Sequence, residues 1–152
     1  MPIKSIFHVN VNCRDLERSQ RFYELLGFQK AADVPEASDP GMLEGLGLAA
    51  DARVKGVLMS IDPTIRGACN LDLLEWTNPP TTGEPYGSLT NVGAVRIALF
   101  VTELDAEFER LRAAGVSFLS DAPVEMADTT RFACFYDPDG TVIEMVQLPR
   151  RR

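Results

Sequence analysis

Residues 8–27 read HVNVNCRDLERSQRFYELLG, and residues 96–115 read RIALFVTELDAEFERLRAAG. The two stretches align without a gap at an offset of 88 residues, so that Leu16 falls on Leu104 while Val9 and Val11 fall on Ile97 and Leu99. Each opens as a strand with side chains alternating between two faces. Each continues as a helix and ends on glycine, the residue best suited to stop one. The first helix is predicted over about Leu16–Leu26, with Asp15 as its cap and Leu16, Phe22, Tyr23 and Leu26 on its apolar side. The second is predicted over about Glu103–Ala114, with Leu104, Phe108 and Leu111 inward. Thr102 and Asp105 stand there in the spacing of a capping box, with Asp in place of the usual Glu.

Across the chain, strands are expected at Ser5–Asn12, Leu71–Thr77, Val95–Val101 and Thr141–Gln147. Weaker strand signals lie at Phe28–Val34, Val54–Ile61, Val116–Leu119 and Arg131–Tyr136. The ends of the two halves also match. Leu73-Leu74-Glu75-Trp76 is set on Val142-Ile143-Glu144-Met145, and a proline follows each, Pro79 and Pro149. The fold class is therefore α+β, a single domain over 1–152. It holds two βαβββ modules of a mixed sheet, at about 1–80 and 92–149, joined by the Pro/Gly-rich stretch 78–91. Residues 35–53 (PEASDPGMLEGLGLAADAR) are long for a connection and read either as a tolerated insertion or as a segment folded over a site.

Of the 152 residues, 45% are hydrophobic and 24% charged, which fits a globular chain and excludes disorder as its main state. The formal charge of −7 repels phosphate and argues against nucleic acid as a partner. The Arg150-Arg151-Arg152 tail reads as a solvated end. No apolar run is long enough for a membrane span, and the opening residues lack the apolar core of a secretion signal, so a cytoplasmic protein without membrane contact is expected. Cys13, Cys69 and Cys134 suit reduced thiols better than a disulfide frame.

Four strand residues are candidates for chemistry. His8 shares a face with Asn10 and Asn12, Glu75 with Leu71, Leu73 and Thr77, Arg96 with Ala98 and Phe100, and Glu144 with Val142 and Val146. An ionisable group among apolar neighbours is costly unless paired, solvated or metal-bound. On the alignment above, His8, Glu75, Arg96 and Glu144 hold equivalent places, which suggests one cluster where the modules meet. Asn10 and Phe100 are candidate lining residues, Asn12 reads as structural, and Trp76, on Leu74's face, as core. Cys134 reads as buried and inert, and Cys13 has no nearby base to make it a nucleophile.

The stretches FHVNVNCRDLERSQRFYELLGF (7–28), AVRIALFVTELDAEFERLRAAGVSF (94–118) and FYDPDGTVIEMVQ (135–147) together resemble the vicinal oxygen chelate superfamily, which includes glyoxalase I, methylmalonyl-CoA epimerase, extradiol dioxygenases and bleomycin resistance proteins. The resemblance implies a cupped sheet around a central cavity and, in many members, a divalent metal. It places His8, Glu75 and Glu144 as ligands of Zn²⁺, Ni²⁺, Co²⁺, Mn²⁺ or Fe²⁺, with Glu75 and Glu144 also as proton-transfer groups. Arg96, Phe100 and Asn10 would then contact substrate. Glyoxalase- or epimerase-like isomerase or lyase chemistry on a small oxygenated molecule follows, in a homodimer. Arg96 departs from the pattern, because many metal-binding relatives carry His there and a guanidinium does not ligate metals. At about 4 Å from a divalent ion it would cost about 8 kcal/mol at an effective dielectric of about 20. Arg96 could instead pair with Glu75 and Glu144 in place of the metal, or reach past it to a substrate carboxylate or phosphate. The alternatives implied are a metal-free binding protein of the bleomycin-resistance kind and a metal-free acid–base enzyme. A two-His iron site of the dioxygenase kind is excluded, because the chain has one histidine.

Overall fold

The structure, a computed structural model, describes residues 3–65 and 69–149; the arginine tail lies outside the described residues. The chain forms two compact units, residues 1–83 and 84–152.

The first unit runs β1 (His8–Asn12), α1 (Leu16–Leu25), β2 (Gln29–Ala37), α2 (Pro40–Leu46), β3 (Arg53–Ser60) and β4 (Asn70–Asn78). Its sheet has the order β1-β4-β3-β2, with β1 parallel to β4 and the other pairings antiparallel. The Asp15 side chain caps α1 by accepting from the Arg18 amide, and Gly27, at φ +96°, follows its end. Ser19 and Tyr23 form the buried side of α1. Serine there lets the helix come close to the sheet, while Tyr23 meets Phe28 edge to face at 5.8 Å. Val11, Val57, Met59, Leu71 and Leu73 complete this core.

The second unit runs β5 (Arg96–Phe100), α3 (Leu104–Ala113), β6 (Val124–Glu125), β7 (Arg131–Tyr136) and β8 (Val142–Gln147), in the order β5-β8-β7-β6 with β5 parallel to β8. Leu104, Phe108 and Leu111 are the buried side of α3, as their spacing predicts. They belong to a core with Ala133, Phe135, Ile143 and Met145, joined by Phe118, whose ring lies 4.1 Å from that of Phe108. Both units are thus α+β, and no described helix is long and apolar enough to cross a membrane.

Three local expectations are corrected. Part of the 35–53 stretch is helical: Asp39 caps α2 by accepting from Met42, and Gly47 ends it at φ +66°. Val116–Leu119 is not a strand, since only Phe118 bridges to Phe135. The Thr102–Asp105 box does not form, because the cap of α3 is Glu103, whose side chain makes no capping bond. Asp105 is drawn off by Arg131, which donates to both carboxylate oxygens at 2.7 Å.

Candidate functional site

The register of the parallel strand pairs decides which residues are equivalent. In β1–β4, Asn10 faces Asp72; in β5–β8, Ala98 faces Glu144. The Cys13 amide donates to the Leu74 carbonyl at 2.8 Å, and the Val101 amide donates to Val146 at 2.9 Å. The Leu16 amide donates to Glu75 Oε2 at 2.8 Å, and the Leu104 amide donates to Gln147 Oε1 at 2.8 Å. All three comparisons match β4 to β8 with an offset of 72 residues. The partner of Glu144 is therefore Asp72, and the partner of Glu75 is Gln147. The alignment of Leu73-Leu74-Glu75-Trp76 on Val142-Ile143-Glu144-Met145 was three residues out. An odd slip exchanges the two faces of a strand.

Glu75 accordingly lies on the helix-covered side with Leu71 and Leu73. There it satisfies the first amide of α1 and pairs with Lys55 at 3.1 Å, a hydrogen bond that keeps the lysine protonated above its usual range. The open face of β1 and β4 carries His8, Asn10 and Asn12 with Asp72, Leu74 and Trp76. Asn10 Nδ2 donates to Asp72 Oδ2 at 3.3 Å. Asp72 Oδ1 is shut off from solvent with no hydrogen-bond partner among the described residues. Burial pushes the Asp72 carboxyl above its usual range, against the opposing pull of His8 and the Asn10 bond. Trp76 is half-buried rather than core, and its indole N–H donates to Asn12 Oδ1 at 3.0 Å.

On the open face of the second unit, the Arg96 Nε forms an ion pair with Glu144 Oε2. The glutamate side chain is 12% exposed and the arginine 49%, so the carboxylate sits against the sheet with the guanidinium above it. Cys134 lies 3.9 Å from Glu144; burial and that carboxylate push its thiol up, keeping it protonated. Leu89, Ala94, Val95 and Ala98 complete, with Arg96 and Glu144, an open cleft of about 340 Å³. Phe100 lines another cleft, of about 320 Å³, with Val101, Thr102, Glu103, Gln147, Leu148 and Pro149.

The residues do not fit the divalent ion that the sequence implies. Glu75 is spent on α1 and Lys55, and Glu144 on Arg96. In the first unit, the carboxyl beside His8 is one whose charged form is already disfavoured. Among the described residues, no three His, Cys, Asp or Glu side chains gather to hold an ion.

The sequence model of the Glyoxalase/Bleomycin resistance protein/Dioxygenase superfamily matches residues 5–145. The chain is 25% identical over 150 residues to the uncharacterized protein YwkD of Bacillus subtilis (strain 168), covering 97% of this chain and 99% of that one. A glyoxalase family protein from Bacillus cereus superposes with a TM-score of 0.82 at 18% identity, over 98% of this chain and 97% of that one. TnmS3, an antibiotic binding protein from Streptomyces sp. CB03234, does so with a TM-score of 0.67 at 24% identity, over 98% and 99%. At these identities the structural likeness is one of fold.

Proposed function

The chain belongs to the Glyoxalase/Bleomycin resistance protein/Dioxygenase superfamily, and on that premise we propose that it binds a small organic molecule without a resident metal ion. The observation that carries this reading is the Arg96–Glu144 pair. The best-placed carboxylate of the second unit already holds a fixed cation, and a divalent ion there would have to displace it against like-charge repulsion. The antibiotic-binding relative makes sequestration of a ligand a natural use of the scaffold. The cleft beside the pair falls at the lower end of the roughly 300–1,000 Å³ usual for small-molecule sites.

A screen of small organic molecules by thermal shift, run with and without a chelator, tests this. Ligands should raise the melting temperature equally in both conditions. Hits that vanish with chelator and return with Zn²⁺, Ni²⁺ or Mn²⁺ would overturn the reading.

Asp72 favours a second reading, metal-free acid–base catalysis on a bound ligand. A carboxyl with a raised pKa and a free buried oxygen is suited to proton transfer. Asp72→Asn separates the two: retained binding with lost turnover of a hit compound marks an enzyme, whereas unchanged binding with no turnover in the wild type marks a binder. The homodimer implied by the resemblance belongs to the same proposal and is tested by sedimentation.

A further inference from the structure

We propose that the cleft beside Arg96 takes a monoanionic organic carboxylate with a compact apolar body, held end-on by the guanidinium. The inference rests on the metal-free reading above and names the ligand class for the same site. Arginine carries five N–H donors in a fixed plane. Glu144, its only partner among the described residues, engages the Nε end and can accept two of the five at most. The donors left over point from a side chain that is 49% exposed and lines the cleft. An anchored guanidinium with free N–H groups matches the two parallel oxygens of a carboxylate.

The surroundings narrow the class. Leu89, Ala94, Val95 and Ala98 supply the apolar part of the lining and Arg96 and Glu144 the charged part, which suits a ligand with one charged end and a small hydrocarbon or aryl body. Among the described residues no second cation lines the cleft, and Glu144 lies beside Arg96, so a dianionic phosphate would meet one cation and one like charge. A planar monoanion meets the same cation with less repulsion. Glu144 serves here as a positioning residue, holding the guanidinium through its ion pair with Arg96 Nε.

Benzoate is the probe, with benzamide as its neutral counterpart of nearly the same shape. Both are titrated into the full chain by calorimetry and by amide NMR. Benzoate should bind one per chain and shift the amides of Val95 and Ala98, with benzamide at least 10-fold weaker. Arg96→Gln should lose benzoate binding at least 10-fold, and Arg96→Lys should fall between, since an ammonium keeps the charge without the fork. Equal binding of benzoate and benzamide by the wild type would overturn the proposal without reliance on any variant. So would benzoate binding that survives Arg96→Gln, or none at all. Metal content of the same preparation separates the two readings. Metal-loaded protein that binds benzoate through Arg96 refutes the metal-free function and keeps this inference. Metal-free protein indifferent to benzoate does the reverse.

Discussion

Asp72 holds a carboxyl where its charged form is disfavoured, with one oxygen tied to Asn10 and the other buried without a donor among the described residues. Burial raises its folded pKa above the unfolded value of about 3.9. Between the two values the folded chain binds the extra proton, so stability falls as pH rises through that interval and stays lower above it. Asp72→Asn should therefore be more stable than wild type at pH 7, with the difference closing below about pH 4. Urea midpoints at pH 7 and pH 3.5 check this; the same gap at both would contradict it. A group that lowers stability in this way is of the kind kept for function. Glu75, three residues on, accepts from the first amide of α1 and pairs with Lys55. Glu75→Ala strips the first amide of α1 of its acceptor and should cost about 1–2 kcal/mol in denaturant unfolding. Glu75→Gln keeps the acceptor, as Gln147 does in the other unit, and should cost about 1 kcal/mol for the loss of the partly buried Lys55 pair. The distinction was legible in the spacing. Asp72-Leu-Leu-Glu75 and Glu144-Met-Val-Gln147 both set two polar acceptors three apart, and matching the pairs rather than one glutamate to the other gives the correct register.

Elements were easier to read than register. The helices α1 and α3 lay close to their predicted bounds, because apolar spacing and the stopping glycines agreed. The capping box at Thr102 failed because its acid has a stronger, bidentate partner across the fold in Arg131, which local sequence cannot show. The α2 helix carried its own signals, Asp39, Pro40 and Gly47, but seven residues with two internal glycines give too little periodicity to reveal it. The β3–β4 pairing has its own constraint. A Cβ on Gly56 would lie 2.6 Å from the Leu73 carbonyl oxygen and 2.8 Å from Leu74 Cδ2. Gly56→Ala should push β3 off β4 and cost about 1–3 kcal/mol in denaturant unfolding. An unchanged midpoint would mean the strands are less tightly paired.

For the molecule as a whole, the fold class was recoverable from the internal repeat, and the superfamily from three stretches spread along the chain. The placement of the candidate residues was only partly recoverable. His8, Asn10, Arg96 and Glu144 stand on the open faces, whereas Glu75 lies on the helix-covered side with Asp72 on the open face of the same strand, and Phe100 lines a different cleft from Arg96. In the metal-free reading Arg96 occupies the carboxylate that a metal would need. Elemental mass spectrometry of the protein purified without chelator, then incubated with Zn²⁺, Ni²⁺ or Mn²⁺ and desalted, measures this. Well under 0.1 ion per chain is expected, on the order of the trace left by desalting, with uptake rising once Arg96→His removes the guanidinium and supplies an imidazole. Near-stoichiometric metal in the wild type that disappears in Glu144→Ala would contradict it.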